Sequence, residues 1–345
     1  MKKKFLSAFM AVAMMFSLTG CGGSESSTSQ SASSSTASSD SAASTEVSAD
    51  GKVYHIGVCQ LVEHEALDSA TQGFEDALKE KLGEENVVFD VQNAQGEETN
   101  CATICTGFVA DNVDLILANA TASLQAASAA TNTIPIVGTS ITDYATALNA
   151  DDWEGTSGTN ITGTSDLAPL DQQAAMIKEL VPDVSNVGII YCSSEANSVF
   201  QAEQIESYLD KDGIAYKEYT AADSNEIQSV VTKAVSECDC LYIPTDNTMA
   251  ANVDIVKNIT VPAGIPVIAG EEGICQGALA TLSISYYDIG YAAGEMAYDI
   301  LVNGTDPGTM EIQYANATTK EYNADIAEAL GITIPEGYEK LATEE

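Results

Sequence analysis

From residue 53 onward, short apolar runs alternate with segments in which apolar residues recur every three or four positions. The runs have the length of β-strands, and the periodic segments have the spacing of amphipathic helices. Several runs are apolar throughout, which is typical of parallel strands covered on both faces. The predicted strands are 54–60, 87–92, 115–118, 134–138, 186–191, 215–219, 240–243, 266–269 and 279–284, and the predicted helices are 68–82, 99–111, 122–130, 171–181, 198–211, 224–237 and 248–260.

This alternation occurs twice, and a stretch rich in Gly, Thr and Ser at 155–166 separates the two halves. Repeated β-α-β-α order predicts an α/β fold with two Rossmann-like, doubly wound parallel-sheet lobes. We assign 53–163 and 283–303 to the N-terminal lobe, and 164–282 and 304–345 to the C-terminal lobe. The stretch 155–166 is interpreted as the first crossover between them.

The N-terminus has the pattern of a secretion signal. Three lysines at 2–4 precede an apolar segment at 5–18, which is short for a membrane span. Cys21 follows at the position where lipoproteins are acylated, so 1–20 is predicted to be a lipoprotein signal peptide. Residues 21–52 are nearly all small and polar, and we predict a disordered, lipid-anchored linker. The alternative is an ordinary secretory signal with a chance cysteine.

The charge excludes some partners. The formal net charge is −38, and lysine supplies all 13 basic residues because the chain contains no arginine. Binding to nucleic acid requires clustered basic side chains, so nucleic acid and anionic lipid surfaces are excluded as partners. A bound carboxylate would have to be held by backbone N–H groups, hydroxyls or lysine, since no guanidinium is available.

Seven cysteines remain besides Cys21, and their spacing fits neither a zinc site nor a complete set of disulfides. We interpret them as small buried apolar residues, with a disulfide as the second possibility. No metal and no cofactor are predicted.

Polar loops follow the predicted strands. In open α/β sheets ligands bind beyond the carboxyl ends of the strands, so these loops are the candidate binding surface. They carry hydroxyl, carboxamide and carboxylate side chains and no lysine. The loops are 60–68, 119–123, 139–144, 192–198, 244–247 and 270–273.

Ordered motifs are spread over 53–340, and they include YHIGVCQLVEHEALDSATQGFEDAL, VDLILANATASLQAA, TIPIVGTSITD, VGIIYCSSEANSVFQAEQIE, YIPTDNTMA and GALATLSISYYDIGYAAGEMAYDIL. Together these motifs resemble the tryptophan/tyrosine-type substrate-binding proteins of ABC transporters. The resemblance implies a type I periplasmic-binding fold, with three crossovers joining the lobes and a small-molecule ligand in the cleft. Tyr144 departs from the family, which usually has proline there, and adds an aromatic near the expected pocket.

A zwitterionic amino acid needs donors for its carboxylate and acceptors for its ammonium group. Helix N-termini supply unpaired N–H groups, and the structural alternative for the same residues is helix capping. Gln60 is a further candidate contact, and Leu61, Val62 and Tyr144 are candidates for the apolar wall. The predicted carboxylate contacts are Thr121, Ala122, Ser123, Asn197 and Ser198 with Ser140, the predicted ammonium contacts are Asp143, Glu195 and Asp246, and Asn247 completes the set.

Enzymatic motifs are missing from the sequence. His64-Glu65 is not followed by the second histidine of a zinc protease, and neither a nucleophile elbow nor a phosphate loop occurs. We therefore expect no catalytic residue. The predicted function is a monomeric, membrane-anchored, extracytoplasmic solute-binding protein that delivers an aromatic amino acid to an ABC permease. The alternatives are a binding protein for a nucleoside or another solute, and a sensor lipoprotein that presents its ligand to a membrane kinase.

Overall fold

The computed structural model describes residues 52–150 and 153–342. The predicted signal peptide, Cys21 and all of the predicted linker except Lys52 lie outside the described residues. In chain order the first elements are β1 (Tyr54–Gln60), α1 (Glu65–Leu82), β2 (Val87–Asn93), α2 (Glu98–Asp111), β3 (Leu115–Asn119), α3 (Thr121–Ala130), β4 (Ile136–Ile141), α4 (Tyr144–Leu148) and β5 (Ile161–Ser165). The next are α5 (Leu170–Leu180), β6 (Asn186–Cys192), α6 (Ala196–Asp212), β7 (Ala215–Ala221), α7 (Ile227–Val235), β8 (Cys240–Ile243), α8 (Asn247–Ala250), α9 (Val253–Ala263), β9 (Val267–Ala269), α10 (Glu272–Cys275) and β10 (Ala280–Ser283). The last are α11 (Tyr286–Asn303), β11 (Gln313–Tyr314), β12 (Thr319–Tyr322), α12 (Ala324–Leu330) and β13 (Glu339–Lys340).

The strands form two sheets, one in each lobe. The first has the order β11-β5-β4-β3-β1-β2, and the second has the order β13-β12-β10-β9-β8-β6-β7. All described pairings are parallel except that of β10 with β12. This confirms the predicted fold class. In each sheet the strand order reverses beside the lobe's first strand, at β1/β3 and at β6/β8, where ligands of such sheets bind.

The chain passes between the lobes three times, after β5, after β10 and after β11. The first two crossovers are tied together, because the Tyr286 hydroxyl donates to Asp166 Oδ2 over 3.1 Å. Thr142 Oγ1 donates to the other oxygen of Asp166 over 2.9 Å. Burial raises the pKa of Asp166 to about 6, and the two hydroxyl donors oppose this shift.

The polar stretch 155–166 is not only a crossover, because β5 lies within it and pairs with β4. Its Thr162, Thr164 and Ser165 are buried, and Thr164 Oγ1 donates to Thr139 Oγ1 over 3.0 Å. Buried threonines whose hydroxyls are hydrogen-bonded suit a strand as well as apolar residues do. For this reason, the pattern of apolar residues did not predict β5 as a strand.

Residues 304–314 lie with the first lobe, whereas the sequence assigned 304–345 to the second. β11 pairs with β5, and Gly308 O accepts from Gly158 N over 3.0 Å. The segment is short and polar, so its partner strand was not visible in the pattern. The predicted helix 248–260 is also divided, into α8 and α9.

Helices α1 and α11 pack closely on the first lobe through glycines. A Cβ on Gly290 would lie 2.0 Å from the backbone oxygen of Ala70. This close approach lies between α1 and α11, so α11, which follows the second sheet in the chain, packs against the first lobe.

Gly290→Ala is expected to lower the free energy of unfolding by about 1–3 kcal/mol, because one helix must move away from the other. Gly107→Ala is the matched control, since it adds the same methyl group inside α2 with nothing within 4 Å. The control should raise stability by up to about 1 kcal/mol through helix propensity. Urea denaturation measures both, and equal effects of the two substitutions would refute the close-packing interpretation.

Candidate functional site

A cavity of about 410 Å³ lies where the two sheets present their carboxyl ends to each other. This volume is in the range of pockets for small molecules. Six loops line it, namely those after β1, β2 and β3 in the first lobe and after β6, β7 and β8 in the second. The lining residues are Leu61, Val62, Gln95, Gly96, Glu97, Glu98, Thr99, Thr121, Ala122, Gln125, Cys192, Ser194, Glu195, Ala196, Asn197, Ala222, Asp223, Ser224, Asn247, Thr248, Ala251 and Asn252.

Three helices that border the cavity begin without a side-chain cap. The residues before α2, α3 and α6 are Glu97, Ala120 and Glu195, and none of their side chains accepts from the following amides. By contrast, α4 and α8 are capped by Asp143 and Asp246. The first N–H groups of a helix have no intrahelical partner and carry a partial positive charge. The cavity is therefore bordered by amide groups that suit an anion.

The turn before α3 is strained. Ala120 has φ = 90°, a conformation that non-glycine residues rarely adopt. It is held by its own buried position and by a hydrogen bond from its N–H to Thr139 O over 3.1 Å. Such outliers cluster at ligand sites, where they fix the direction of the peptide groups.

The second-lobe wall is organised by Glu195. Its Oε1 accepts from the N–H and hydroxyl of Thr248, each over 2.8 Å. Its Oε2 accepts from the N–H of Asn247 over 3.0 Å and from Asn247 Nδ2 over 2.7 Å. Asn197 Nδ2 adds a contact of 3.2 Å to the same oxygen. One carboxylate thus joins the loop after β6 to the start of α8.

The lobes contact each other beside this network. His64 Nε2, in the loop before α1, donates to Asn247 Oδ1 over 3.2 Å. Burial lowers the pKa of His64, while the bond to Asn247 and the carboxylates of Glu195 and Asp68 oppose the shift. A second cross-lobe bond runs from Gln276 Nε2 to Glu65 Oε2 over 3.3 Å.

Five of the predicted contacts line the cavity: Thr121, Ala122, Glu195, Asn197 and Asn247. Leu61 and Val62 also line it, as the sequence suggested for the apolar wall. Their role in binding stays a prediction. These residues were found because they follow β1, β3, β6 and β8 directly.

Two predicted contacts in the second lobe, Asp246 and Ser198, make hydrogen bonds within the protein and do not line the cavity. Asp246 is only 1% exposed and caps α8, with its oxygens accepting from Met249 N over 2.8 Å and Cys192 N over 2.6 Å. Ser198 is fully buried and donates to Thr245 O over 3.2 Å. Since neither lines the cavity, Asp246 is replaced by other carboxylates as the candidate for an ammonium group.

In the first lobe, four predicted contacts also lie outside the cavity wall. The Gln60 amide is held by Thr71, whose hydroxyl donates to Gln60 Oε1 over 2.7 Å. Ser123 points into the core, where its hydroxyl contacts the sulfur of Cys59 at 3.6 Å. Asp143 caps α4 by accepting from Thr146 N over 2.7 Å. Ser140, at φ = 56°, is buried with no hydrogen-bond partner for its hydroxyl among the described residues.

Tyr144 does not extend the pocket, although the sequence suggested that it might line it. The ring is 3% exposed and stacks on Trp153 with centroids 5.9 Å apart. Its hydroxyl donates to Thr164 O over 3.1 Å. The departure from the family pattern at this position is therefore accommodated by core packing.

The loops after β2 and β7 also line the cavity, although they were not among the predicted binding loops. They contribute Glu97, Glu98 and Asp223, which join Glu195 so that four carboxylates line the cavity, whereas no lysine does. The signal was available, because the rule that ligands bind at the carboxyl ends of strands applies to these edge strands too.

The described part of the chain, residues 52–150 and 153–342, holds the seven cysteines other than Cys21. All seven of its cysteines are buried and free, in line with their interpretation as small buried residues. Within 52–150 and 153–342, no group of three metal-binding side chains is placed to hold an ion. No helix in those ranges has the length and apolar character needed to cross a bilayer.

Comparisons with known proteins agree with this geometry. The family described as ABC transporter substrate binding protein matches residues 55–345. A relative named tyrosine-binding protein, from Clostridioides difficile, is 36% identical over 332 residues, which cover 95% of this chain and 92% of the relative. The family is one of binding proteins and not of enzymes.

Two solved structures that are similar to this chain differ in ligand state and in TM-score. The ABC domain from Streptococcus pneumonia in complex with L-Trp is 33% identical and has a TM-score of 0.79, over 83% of this chain and 97% of that one. The ligand-free, open structure of a substrate-binding protein from Clostridium difficile is 38% identical and has a TM-score of 0.65, over 85% of this chain and all of that one, 100%.

Proposed function

The chain belongs to the ABC transporter substrate-binding protein family, and from this premise we propose that it captures an aromatic amino acid for an ABC importer. The observation that carries the proposal is the cavity itself: uncapped helix N-termini and a cluster of carboxylates border one space between two lobes. These are the two chemistries that the ends of a zwitterion require.

The ligand carboxylate would bind at the start of α3, where Thr121 and Ala122 present unpaired amides and a hydroxyl. The start of α6, at Ala196 and Asn197, lines the same cavity from the second lobe. Backbone amides and the helix dipole replace the arginine that the chain lacks. Contacts from both lobes to one carboxylate would favour the closed arrangement, since only differential affinity shifts such an equilibrium.

The ligand ammonium group would bind the carboxylates of the cavity wall. Both oxygens of Glu195 are already occupied by donors from the second lobe. Glu97, Glu98 and Asp223 are exposed, so they are the better candidates for a direct ion pair. The absence of lysine from the wall leaves this region strongly negative.

The aromatic side chain would pack on apolar groups. Leu61, Val62 and Ala251 line the cavity, and none of the lining residues is aromatic. Aliphatic side chains can pack against an aromatic ring without fixing its substituents, which suits tyrosine, tryptophan or phenylalanine. The relatives support this ligand class, because one is named a tyrosine-binding protein and another was solved with L-Trp.

Hinge closure about the three crossovers is the proposed mechanism. Its support is that the present lobe arrangement is more similar to the complex with L-Trp (TM-score 0.79) than to the ligand-free, open structure (0.65). The sequence identities run the other way, with 33% to the L-Trp complex and 38% to the open structure. Sequence divergence alone therefore does not explain the difference in TM-score.

The proposed cellular setting rests on the sequence pattern of residues 1–52. We place the protein on the outer face of the cell membrane as a monomer, anchored through Cys21 by the linker 21–52. The long polar linker would let the folded part reach the permease. The net charge of −38 would keep neighbouring copies apart.

Calorimetric titration of the purified protein tests the ligand class. We expect saturable binding of at least one of tyrosine, tryptophan and phenylalanine, with glycine and a sugar as controls that do not bind. A response to a nucleoside or a sugar, with none to the three aromatic amino acids, would overturn the proposed ligand but not the membership of the family.

A further inference from the structure

The contact between His64 and Asn247 is the starting point, because it joins the lobes at the edge of the cavity. Asn247 lines the cavity and belongs to the Glu195 network, whereas His64 comes from the opposite lobe. A side chain that bridges the lobes at this place affects closure directly.

The network fixes the hydrogen position on the ring. Asn247 Nδ2 donates to Glu195 Oε2, so the amide must present Oδ1 to the imidazole. Oδ1 can only accept, and His64 Nε2 therefore carries the hydrogen. Nδ1 is left as the bare nitrogen of a neutral imidazole. It is buried and has no hydrogen-bond partner among the described residues.

Protonation of Nδ1 is unfavourable in this arrangement. It would add a buried donor with no acceptor and a charge away from water. The carboxylates around the ring favour the charged form, and burial outweighs them in setting the direction of the pKa shift, which is downward. The titratable groups near the ring are Asp68 on α1, Glu195 in the second lobe, and the sequence neighbours Glu63 and Glu65.

We propose that His64 is a positioning residue which holds the lobes together only as a neutral imidazole, so that acidification favours opening and ligand release. This inference rests on the proposed hinge closure. His64 would contribute to binding without touching the ligand, since it is not part of the cavity wall.

The direction of the pH dependence follows from the lowered pKa of His64. An open form exposes His64 to water, where its pKa returns towards the ordinary value, so the open form binds the proton more tightly than the closed form does. Closure is therefore strongest above the ordinary histidine pKa and is weakened as the pH falls below it. Because one proton is involved, the dissociation constant can rise by no more than about tenfold per pH unit.

Small-angle X-ray scattering between pH 8 and pH 5 measures the opening without any ligand. We expect the radius of gyration of the wild type to increase as the pH falls. His64→Gln should abolish this pH dependence, because glutamine keeps an N–H donor for Asn247 but does not titrate. His55→Gln is the matched control: it removes the second of the two histidines, which is exposed on β1, and should behave as the wild type.

Titration of the same three proteins with tyrosine and tryptophan adds a second measurement. The affinity of the wild type and of His55→Gln should fall towards pH 5, and that of His64→Gln should change less than twofold. A wild-type radius of gyration that does not respond to pH, or a response retained by His64→Gln, would overturn the inference. If no aromatic amino acid binds but the scattering result is as expected, the role of His64 stands and the proposed ligand falls.

Discussion

Ala122→Asp is expected to reduce the affinity for tyrosine or tryptophan by about 100-fold or more, without loss of stability. The new carboxylate would lie at the uncapped start of α3, where the ligand carboxylate is proposed to bind. Two like charges about 4 Å apart repel by about 4 kcal/mol at the effective dielectric of a protein surface. The same acidic residue favours the helix itself by about 0.3–1 kcal/mol through the helix dipole. The ligand affinity measured by calorimetric titration should therefore fall, while the free energy of unfolding measured by urea denaturation should stay the same or rise.

Gln172→Glu is the matched control for this substitution. It also places an acidic side chain in the first turn of a helix, α5, at an exposed position that does not line the cavity. We expect wild-type affinity and equal or slightly higher stability. Wild-type affinity of Ala122→Asp would refute binding of the ligand carboxylate at the start of α3, whereas a loss of affinity in both variants would show a general effect of charge.

Glu195→Ala is expected to lower the free energy of unfolding by about 3 kcal/mol or more and to weaken ligand binding as well. The substitution leaves the backbone N–H groups of Asn247 and Thr248 without their acceptor. Each buried donor that loses its partner costs about 1–3 kcal/mol. Binding should fall because the loop after β6 and the start of α8 would no longer be held together at the cavity wall. Urea denaturation and calorimetric titration measure the two effects.

Two further variants separate charge from hydrogen bonding. Glu195→Gln keeps one acceptor oxygen, so its loss of stability should be intermediate. Glu98→Gln removes an exposed carboxylate of the same cavity and should change the free energy of unfolding by no more than about 0.5 kcal/mol. If Glu195→Ala were as stable as Glu98→Gln, Glu195 would not organise the second-lobe wall.

Much of the fold could be predicted from periodicity. Central strands such as β3 and β8 are buried on both faces, and apart from Asn119 at the end of β3 their residues are apolar, which makes these strands visible in the sequence. The strand β5 was not visible, because its buried positions are threonine and serine whose hydroxyls bond to neighbouring chain segments. The short β11 was missed because a two-residue strand has no period.

For the candidate site, the sequence located four of the six loops that line the cavity but not the direction of their side chains. Asp143, Glu195 and Asp246 all precede a helix, and local sequence gives them the same two options, a cap or a ligand contact. Only packing decided between them. Asp143 and Asp246 turn back to the amides of their own helices, whereas Glu195 reaches across to Asn247 and Thr248 and borders the cavity.

The sequence by itself determined the α/β class, the two lobes, the lack of guanidinium groups and four of the six loops that border the cavity at the carboxyl ends of the strands. These follow from period, composition and chain order, which are local properties. The tertiary structure alone decided which carboxylates face the cavity, that the starts of α2, α3 and α6 stay uncapped, and that His64 meets Asn247 across 183 residues of chain. The physical reason is that a polar side chain takes whichever partner the fold brings within hydrogen-bonding distance, and its neighbours in sequence do not specify that partner.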